Sequence, residues 1–381
     1  MKDSLLRVAV VGVGHLGRHH ARVLAGIEGV KLIGVADSRL EQAEAVAAPL
    51  GAKAHADYRE LLDRVDAVSI AVPTTHHHAI GGAFLDRGIA TLIEKPLAPS
   101  AAEAEDLVAL AHARGALLQV GHIERYNPAL SAMEKLDLRP RYVEADRLGT
   151  YTFRSTDIGV VHDLMIHDLD LLLSLVKAPV KSVAAVGVSV FGKLEDVANA
   201  RIEFEDGCVA NLTASRASYQ AARKMRVWGS EGYVGLDFAT RQGTVVRPSE
   251  ALRRGELELD GIDLTKMDEV RRRIFGQILH VEQIQAEGRE QLALELEDFV
   301  RAVREGTRPK VTGDDALKCM RLADQVLRSM SGHTWEGVPD GTVIPGRVDA
   351  PAQRGALAGP HLWSATSSRK KAQARADQWM D

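Results

Sequence analysis

A glycine-rich loop near the N-terminus constrains the fold more than any other feature of this sequence. Residues 12–17 read Gly-Val-Gly-His-Leu-Gly and follow an apolar, β-branched run over residues 5–12. Gly12 permits a tight turn, Gly14 lets the backbone approach a pyrophosphate, and Gly17 allows close helix–strand packing. Free N–H groups at the start of the following helix would face the phosphates. The loop predicts a dinucleotide site with contacts from Gly12, Gly14, His15, Leu16 and Gly17.

The order of predicted elements changes once along the chain. Strands alternate with helices up to about residue 120, and Ser100 is the predicted N-cap of one helix, which is typical of a parallel sheet. After residue 139 the pattern predicts one helix and then strands without intervening helices, which favours a mostly antiparallel sheet. The helix covers 160–176, the strands cover 181–191, 197–205, 208–215, 224–229 and 232–238, and further helices follow near 279–305 and 314–331.

These patterns predict an α/β protein of two domains with a tail. We expect a Rossmann NAD-binding domain over 1–124, built on a doubly wound parallel sheet. The second domain, over 125–335, is expected to be α+β with a large, mostly antiparallel open sheet for substrate binding and oligomerisation. Residues 346–381 are small, polar and basic, so we expect a disordered tail.

Composition excludes several classes of function. A net charge of −4 over 381 residues gives no basis for nucleic-acid or membrane-surface binding, and no apolar run is long enough to span a bilayer. Cys208 and Cys319 fit no metal or redox spacing, so we expect a reducing cytoplasm. The consecutive histidines 76–78 point in different directions on a helix, so no metal site is predicted.

Asp37 ends the second predicted strand, 20 residues after Gly17. A carboxylate there can accept the ribose hydroxyls of NAD and would repel the 2′-phosphate of NADP. Arg39 could instead meet that phosphate, or it could be a solvated residue at a helix start. We therefore expect NAD as the cofactor and NADP to be less favoured, with contacts from Asp37, Ser38 and Arg39.

Three further motifs carry candidate chemistry. Glu94-Lys95-Pro96 follows a strand at the carboxyl edge of the sheet, where a partly desolvated lysine can exchange protons. Asp163 and His167 are four residues apart on a predicted, largely buried helix, so a carboxylate can orient an imidazole. The third motif is the run Gly-His-Ile-Glu-Arg-Tyr-Asn-Pro over 121–128.

Taken in this order, the motifs resemble the glucose–fructose oxidoreductase, inositol dehydrogenase and MocA family over about residues 5–335. The resemblance implies a Rossmann domain, an open-sheet domain and oxidoreductase activity on a sugar. It implies that Lys95 and His167 are catalytic and that Asp163 is an associated acid, whereas Met165 departs from the glycine of many members. Pro73 and His77 match a further family segment. The predicted cofactor contacts therefore also include Pro73, Thr74 and His77, together with Glu94 and Lys95 of the Glu-Lys-Pro motif.

Within the family, residues 121–128 and 154–170 are most similar to the UDP-N-acetylglucosamine 3-dehydrogenases of lipid A-type amino-sugar synthesis. This similarity implies oxidation of the 3-hydroxyl to a 3-keto sugar that suits a later transamination. The substrate contacts that we predict are Lys95, Arg125, Tyr126, Asn127, Arg154, Asp163, His167 and Arg216.

Several alternatives are left open by the sequence. His167 is the expected base, oriented by Asp163, while Lys95 hydrogen-bonds the reacting oxygen; Lys95 as the base is the alternative. Other candidate functions are an inositol or other sugar dehydrogenase, a non-catalytic NAD-binding regulator, and a lyase or hydrolase with tightly held NAD. An open sheet face commonly packs against a second copy, so we expect a homodimer or homotetramer.

Overall fold

The computed structural model describes residues 5–152, 158–191, 194–256, 265–285 and 288–333. These residues form a six-stranded parallel sheet and an eight-stranded, mostly antiparallel sheet, which confirms the predicted fold class. Within these ranges, no helix combines the length and the apolar character that crossing a membrane requires.

The parallel sheet has a reversal of strand order between its first and fourth strands. Its strands are β1 (Leu6–Val11), β2 (Val30–Ala36), β3 (Lys53–His55), β4 (Ala67–Ile70), β5 (Ala90–Glu94) and β6 (Leu118–Gly121), in the order β3-β2-β1-β4-β5-β6. The accompanying helices are α1 (Gly17–Gly26), α2 (Leu40–Ala47), α3 (His77–Leu85) and α4 (Ala101–Arg114). Ser100 caps α4 as predicted, because its side chain accepts a hydrogen bond from the Glu103 N–H. Ligands bind at the carboxyl ends of such strands, beside the reversal.

The second sheet follows a short helix, α5 (Pro128–Glu134). Its strands are β7 (Tyr142–Leu148), β8 (Val180–Val188), β9 (Val197–Phe204), β10 (Val209–Ser215), β11 (Ala222–Gly229), β12 (Gly232–Asp237), β13 (Gln242–Pro248) and β14 (Leu279–Gln285), in the order β14-β13-β12-β11-β7-β10-β9-β8. Only β7 and β10 pair in parallel; the other neighbours are antiparallel.

Five further helices lie in this half of the chain. They are α6 (Ile166–Leu175), α7 (Glu250–Arg254), α8 (Met267–Arg273), α9 (Gln291–Glu305) and α10 (Gly313–Ser331). Two of them, α6 and α10, pack against the sheet. A π-helical turn, Val161–Met165, leads directly into α6. Single π turns inside helices are frequent at functional sites.

The predicted helix over 279–305 is wrong in its first part, because the chain forms β14 there before α9 begins at Gln291. The strand lies at the sheet edge and most of its residues are exposed, so its sequence carries little apolar alternation. The prediction also omitted β3, β7 and β13, which contain charged and polar residues and depend on pairing with distant strands.

Helix α9 packs on the N-terminal sheet although it lies far along the chain. Leu296 and Phe299 are buried in one core cluster with Val8 and Val10 of β1. The larger core lies mainly between the antiparallel sheet, α6 and α10, and it also includes one side of the parallel sheet. The end of the described chain therefore contributes to the packing of both sheets.

Candidate active site

The glycine loop has the geometry of a phosphate-binding turn. Gly12 has φ +81°, and a Cβ there would lie 2.7 Å from the Ala71 carbonyl oxygen. A Cβ on Gly17 would lie 1.8 Å from the Gly12 carbonyl oxygen, so only glycine allows α1 to start this close to the loop. Beside Gly14, the nearest group is the Gln42 amide at 3.9 Å. The loop is therefore open to a ligand at Gly14 and closed at the other two glycines.

A cleft of about 640 Å³ adjoins this loop at the carboxyl ends of β1, β2 and β4. Of the predicted cofactor contacts, it is lined by Gly12, Gly14, Asp37, Ser38, Arg39 and Pro73. It is also lined by Gln42, Tyr58, Val72, His76 and Ile80, which no motif indicated. Both carboxylate oxygens of Asp37 accept hydrogen bonds, from the N–H groups of Val13 and Arg39 at 3.0 Å and from Gln42 at 3.1 Å. An open glycine loop beside a fixed carboxylate fits the pyrophosphate and ribose of a nicotinamide dinucleotide.

The remaining predicted loop contacts lie around this cleft. His15 and Leu16 lie at the start of α1, where Leu16 is 52% exposed. Thr74 opens a short 3₁₀ turn that follows Pro73. His77 is buried, and its ring nitrogens lie 2.9 Å from the carbonyl oxygens of Val72 and Pro96. Burial, above all, lowers the pKa of His77. The structure places this ring under the Lys95–Pro96 turn, while the neighbouring His76 lines the cleft.

Glu94 is held from behind by α1. Its Oε1 lies 3.1 Å from Nε2 of His20, whose Nδ1 is 2.8 Å from the Ser69 hydroxyl. Burial acts to raise the pKa of Glu94, but the hydrogen bond from His20 and the charges of His20 and Lys95 outweigh it and lower that pKa. Gly121 lies opposite on β6, where a Cβ would come within 2.7 Å of Oε1. Glu94 is therefore an ionised support for the turn that carries Lys95.

Lys95 joins the parallel sheet to the π-helical turn. Its Nζ donates to the Asp163 carbonyl oxygen at 2.7 Å and lies 3.5 Å from Asp163 Oδ1. Both side chains are mostly shielded, at 16% and 21% exposure. The structure thus brings together Lys95 and Asp163, which are 68 residues apart in the sequence.

His167 lies one turn further along, on α6, with a partly buried side chain. Its Nδ1 is inaccessible and has no hydrogen-bond partner, and no described carboxylate lies within ion-pairing distance of the ring. Asp163, expected to orient His167, instead contacts Lys95. Burial first, and then the charges of Lys95 and Arg147, hold the pKa of His167 well below its ordinary value. The imidazole is therefore neutral near pH 7 and able to accept a proton.

A buried ion cluster fixes the helix that carries His167. The Arg147 guanidinium donates two hydrogen bonds to Asp168, at 2.9 and 2.8 Å, and one to Glu124 at 3.0 Å. All three side chains are at most 8% exposed. Arg147 belongs to β7 and Glu124 follows β6, so the cluster ties α6 to both sheets. No sequence motif indicated Arg147.

Three of the predicted substrate contacts form hydrogen bonds with other residues of this chain. Tyr126 donates its hydroxyl to Asp298 at 2.8 Å. Asn127 caps α5 and donates to Glu124 at 3.1 Å and to the Phe238 carbonyl at 3.2 Å. Arg125 contacts Asp170 at 3.4 Å.

The two remaining basic candidates are Arg216 and Arg154. Arg216 is buried and donates to Asp196 at 2.7 Å and to the Ile158 carbonyl oxygen at 2.9 Å. Arg154 lies outside the described residues, so its substrate contact stays a prediction. Across the described ranges, no group of three or more His, Cys, Asp or Glu side chains is arranged to hold a metal ion.

Comparison with protein families identifies matches in both halves of the chain. Residues 6–122 match the oxidoreductase family with an NAD-binding Rossmann fold. Residues 138–235 match the GFO/IDH/MocA C-terminal domain.

Individual proteins similar to this chain include dehydrogenases named for a nucleotide sugar, an inositol and levoglucosan. UDP-N-acetylglucosamine 3-dehydrogenase of Acidithiobacillus ferrooxidans is 38% identical over 299 residues, covering 78% of this chain and 88% of that protein. Its solved structure has a TM-score of 0.75 at 36% identity, covering 85% and 97%. The scyllo-inositol 2-dehydrogenase (NAD(+)) of Bacillus subtilis is 28% identical over 335 residues, covering 82% and 91%. A levoglucosan dehydrogenase bound to NADH shares the fold, with a TM-score of 0.73 at 18% identity and coverage of 85% and 96%.

Proposed function

This chain belongs to the Gfo/Idh/MocA family of oxidoreductases, and on that premise we propose that it oxidises the 3-hydroxyl of UDP-N-acetylglucosamine to a ketone with NAD. The observation that carries the proposal is 38% identity to a UDP-N-acetylglucosamine 3-dehydrogenase over 88% of that protein's length. The proximity of Lys95 to Asp163, with His167 one turn away, supports it chemically. The product would be a 3-keto sugar, which suits a later transamination in lipid A-type synthesis.

The three central side chains divide the proton chemistry in this proposal. His167 is neutral, so its accessible Nε2 takes the proton of the substrate hydroxyl. Lys95 donates one N–H to the Asp163 carbonyl and has others for the reacting oxygen. Asp163 holds Lys95 in this position and acts on the substrate through it. Lys95 as the base is the alternative assignment.

The cofactor in this proposal is NAD rather than NADP. When bound, the nicotinamide ring accepts the hydride that leaves the sugar carbon. The dinucleotide would be held by the glycine loop, Asp37 and Gln42, which line the cleft. The Asp37 carboxylate is already fixed there by its hydrogen bond from Gln42. The Asp37 carboxylate would repel a 2′-phosphate, whereas it can accept hydrogen bonds from a ribose diol.

The test is a substrate panel with the full-length protein. Purified chain and NAD are incubated with UDP-N-acetylglucosamine, free N-acetylglucosamine, myo-inositol and glucose, with an aminotransferase or a ketone-trapping reagent to draw the reaction forward. We expect turnover of the nucleotide sugar alone, because the UDP group provides binding energy that positions the ring. Turnover of a free polyol without turnover of any UDP sugar would contradict the substrate assignment.

Three other functions are distinguished by the same assay. The Bacillus subtilis scyllo-inositol 2-dehydrogenase favours an inositol dehydrogenase, which would turn over an inositol, so scyllo-inositol is added to the panel beside myo-inositol. A lyase or hydrolase would retain its cofactor through purification and release no net NADH, and a non-catalytic regulator would bind NAD and convert nothing.

We further propose a cytoplasmic homodimer or homotetramer. The cytoplasmic location is in keeping with two buried cysteines that are not disulfide-bonded.

A further inference from the structure

Three buried polar atoms behind the candidate active site have no hydrogen-bond partner among the described residues. They are Nδ1 of His167, Nδ1 of His122 and Oδ2 of Asp170. His122 and Asp170 are 1% and 2% exposed, and these two atoms face each other at 4.0 Å. An unpartnered buried polar atom is destabilising, because it has lost its hydrogen bonds to water and gained none in the protein. Such a cluster beside reacting groups therefore calls for a functional explanation.

Strand register places His122 beside Lys95, and helix spacing places Asp170 on the same face of α6 as His167. Gly121 and Glu94 are the paired last residues of β6 and β5, so His122 and Lys95 each follow the end of one of these neighbouring strands. Asp170 follows His167 by three residues on α6, so these two side chains share one helix face. His122 is thus adjacent to Lys95 on one side and to Asp170 on the other.

Asp170 also reaches a second cavity, of about 350 Å³, which shares no lining residue with the dinucleotide cleft. Arg125, Ser174 and Lys318 also line it. Arg125 contacts Asp170 Oδ1 at 3.4 Å and leaves Oδ2 facing His122. A cavity of this size holds several water molecules. Asp170 therefore lies between a buried imidazole and a space that water can occupy.

We propose that His122 and Asp170 relay the proton of the oxidised hydroxyl from His167 to water in this second cavity. The inference rests on the proposed function, since oxidation of the alcohol is the step that releases this proton. The hydride leaves the carbon with its electron pair for the cofactor, and the hydroxyl proton goes to His167. It then passes to His122, to Asp170 and to water, so each group returns to its starting charge.

The groups around His122 determine its charge between turnovers. Burial foremost, together with the charges of Lys95 and Arg125, lowers the pKa of His122, against the opposing effect of Asp170 and Glu94. The ring is therefore neutral between turnovers. The charged or titratable groups around the two histidines are Glu94 on β5, Lys95 directly after β5, Arg125 after β6, Arg147 on β7, Arg223 on β11 and Asp170 on α6.

The first experiment compares His122→Asn and Asp170→Asn with a matched control, His162→Asn. His162 also has an unpartnered buried nitrogen and an aspartate, Asp324, at 4.0 Å, but it does not line the second cavity. We expect both relay variants to lose about tenfold or more in kcat with little change in KM. Their solvent isotope effect on kcat should rise, and imidazole in the buffer should restore part of the rate. The control should behave as the parent in all four measurements.

A second experiment leaves the buried cluster intact. Ser174 is half-buried at the cavity, where its hydroxyl donates only to the Leu171 carbonyl, so Ser174→Trp fills the cavity from outside. We expect it to lower kcat and raise the solvent isotope effect as His122→Asn does. A further measurement is the rate of hydrogen–deuterium exchange at C2 of each imidazole, read by mass spectrometry on enzyme without substrate. This rate should be higher for His122 than for the equally buried His77. Asp170→Asn and Ser174→Trp should slow it.

The outcomes separate this proposal from the proposed function. A parent enzyme that oxidises no sugar overturns both. A parent that turns over UDP-N-acetylglucosamine, with parent-like kcat and isotope effects in Ser174→Trp and in the folded relay variants, overturns the relay alone. If His122→Asn fails to fold, the relay is tested by Ser174→Trp and by C2 exchange in the parent protein. Exchange at His122 that is no faster than at His77 contradicts the relay.

Discussion

Replacing Glu295 by glutamine should stabilise the protein, and the gain should grow as the pH rises. Glu295 lies on α9 with no exposed surface, and neither of its carboxylate oxygens has a hydrogen-bond partner among the described residues. Burial foremost, with the negative charges of Glu94 and Asp298, raises the pKa of Glu295 well above its ordinary value. Glutamine keeps the shape of the side chain and carries no titratable proton.

The size of the gain follows from proton linkage. In the unfolded chain this carboxyl ionises near a pKa of about 4.3. Because its folded-state pKa is higher, its contribution to stability is complete below that pH and is lost as the pH rises towards the folded-state pKa. Each pH unit in this interval costs the parent about 1.4 kcal/mol relative to the variant. With an unfolding entropy of about 2.1 cal/mol/K per residue, that corresponds to a Tm difference of roughly 2 °C per pH unit.

The measurement is thermal unfolding of the parent and Glu295→Gln at pH 5, 6, 7 and 8, at one scan rate. Glu297→Gln is the matched control, because Glu297 lies on the same helix but is partly exposed and paired with Arg289. Its Tm difference from the parent should not increase with pH. A Tm difference for Glu295→Gln that is constant over these pH values, or a lower Tm than the parent at pH 8, would refute the reasoning.

Three further predictions concern the site and the tail. Lys95→Ala and His167→Ala should each lower turnover by roughly 10²–10⁴-fold while NAD, titrated by fluorescence, still binds; near-parent kcat would exclude that residue's proposed role. Asp37→Ala should weaken NAD binding and reduce the preference for NAD over NADP. If the parent protein binds NADP more tightly than NAD, the cofactor assignment is contradicted. Deleting residues after 346 should leave kcat unchanged, since so polar a segment does not offset an ordering entropy of about 1–2 kcal/mol per residue; a large loss would mean that the tail completes a site.

Local sequence predicts an element when the element's own burial determines its composition. β1 and β4 are short apolar runs because both faces of the parallel sheet are covered, and both could be identified from the sequence. β14 lies at an edge of the sheet, and at most one of its sides faces the core. The pattern of apolar and polar residues in it therefore does not distinguish a strand from a helix. What makes it a strand is its register with β13, in which Val246 pairs with Val281, and that pairing is a property of the folded sheet.

The candidate site divides in the same way. Lys95 lies at the end of a strand and His167 lies in a buried helix, so motif and element together place both. The sequence did not reveal that Asp163 contacts Lys95, because that contact depends on how the π-helical turn meets the other sheet. Arg147 resembles any basic residue on a strand, and its two carboxylate partners lie 21 and 23 residues away. Contacts of this kind depend on tertiary packing, which short-range patterns do not encode.

The packing of α9 on the N-terminal sheet has a consequence for biosynthesis. The ribosome releases Val8 and Val10 of β1 early, whereas Leu296 and Phe299, which pack in the same core, leave it much later. At about 5–20 residues per second, the interval amounts to tens of seconds. For that time the nascent chain lacks the helix that covers one apolar side of its first sheet, so we expect chaperones to recognise that surface during synthesis.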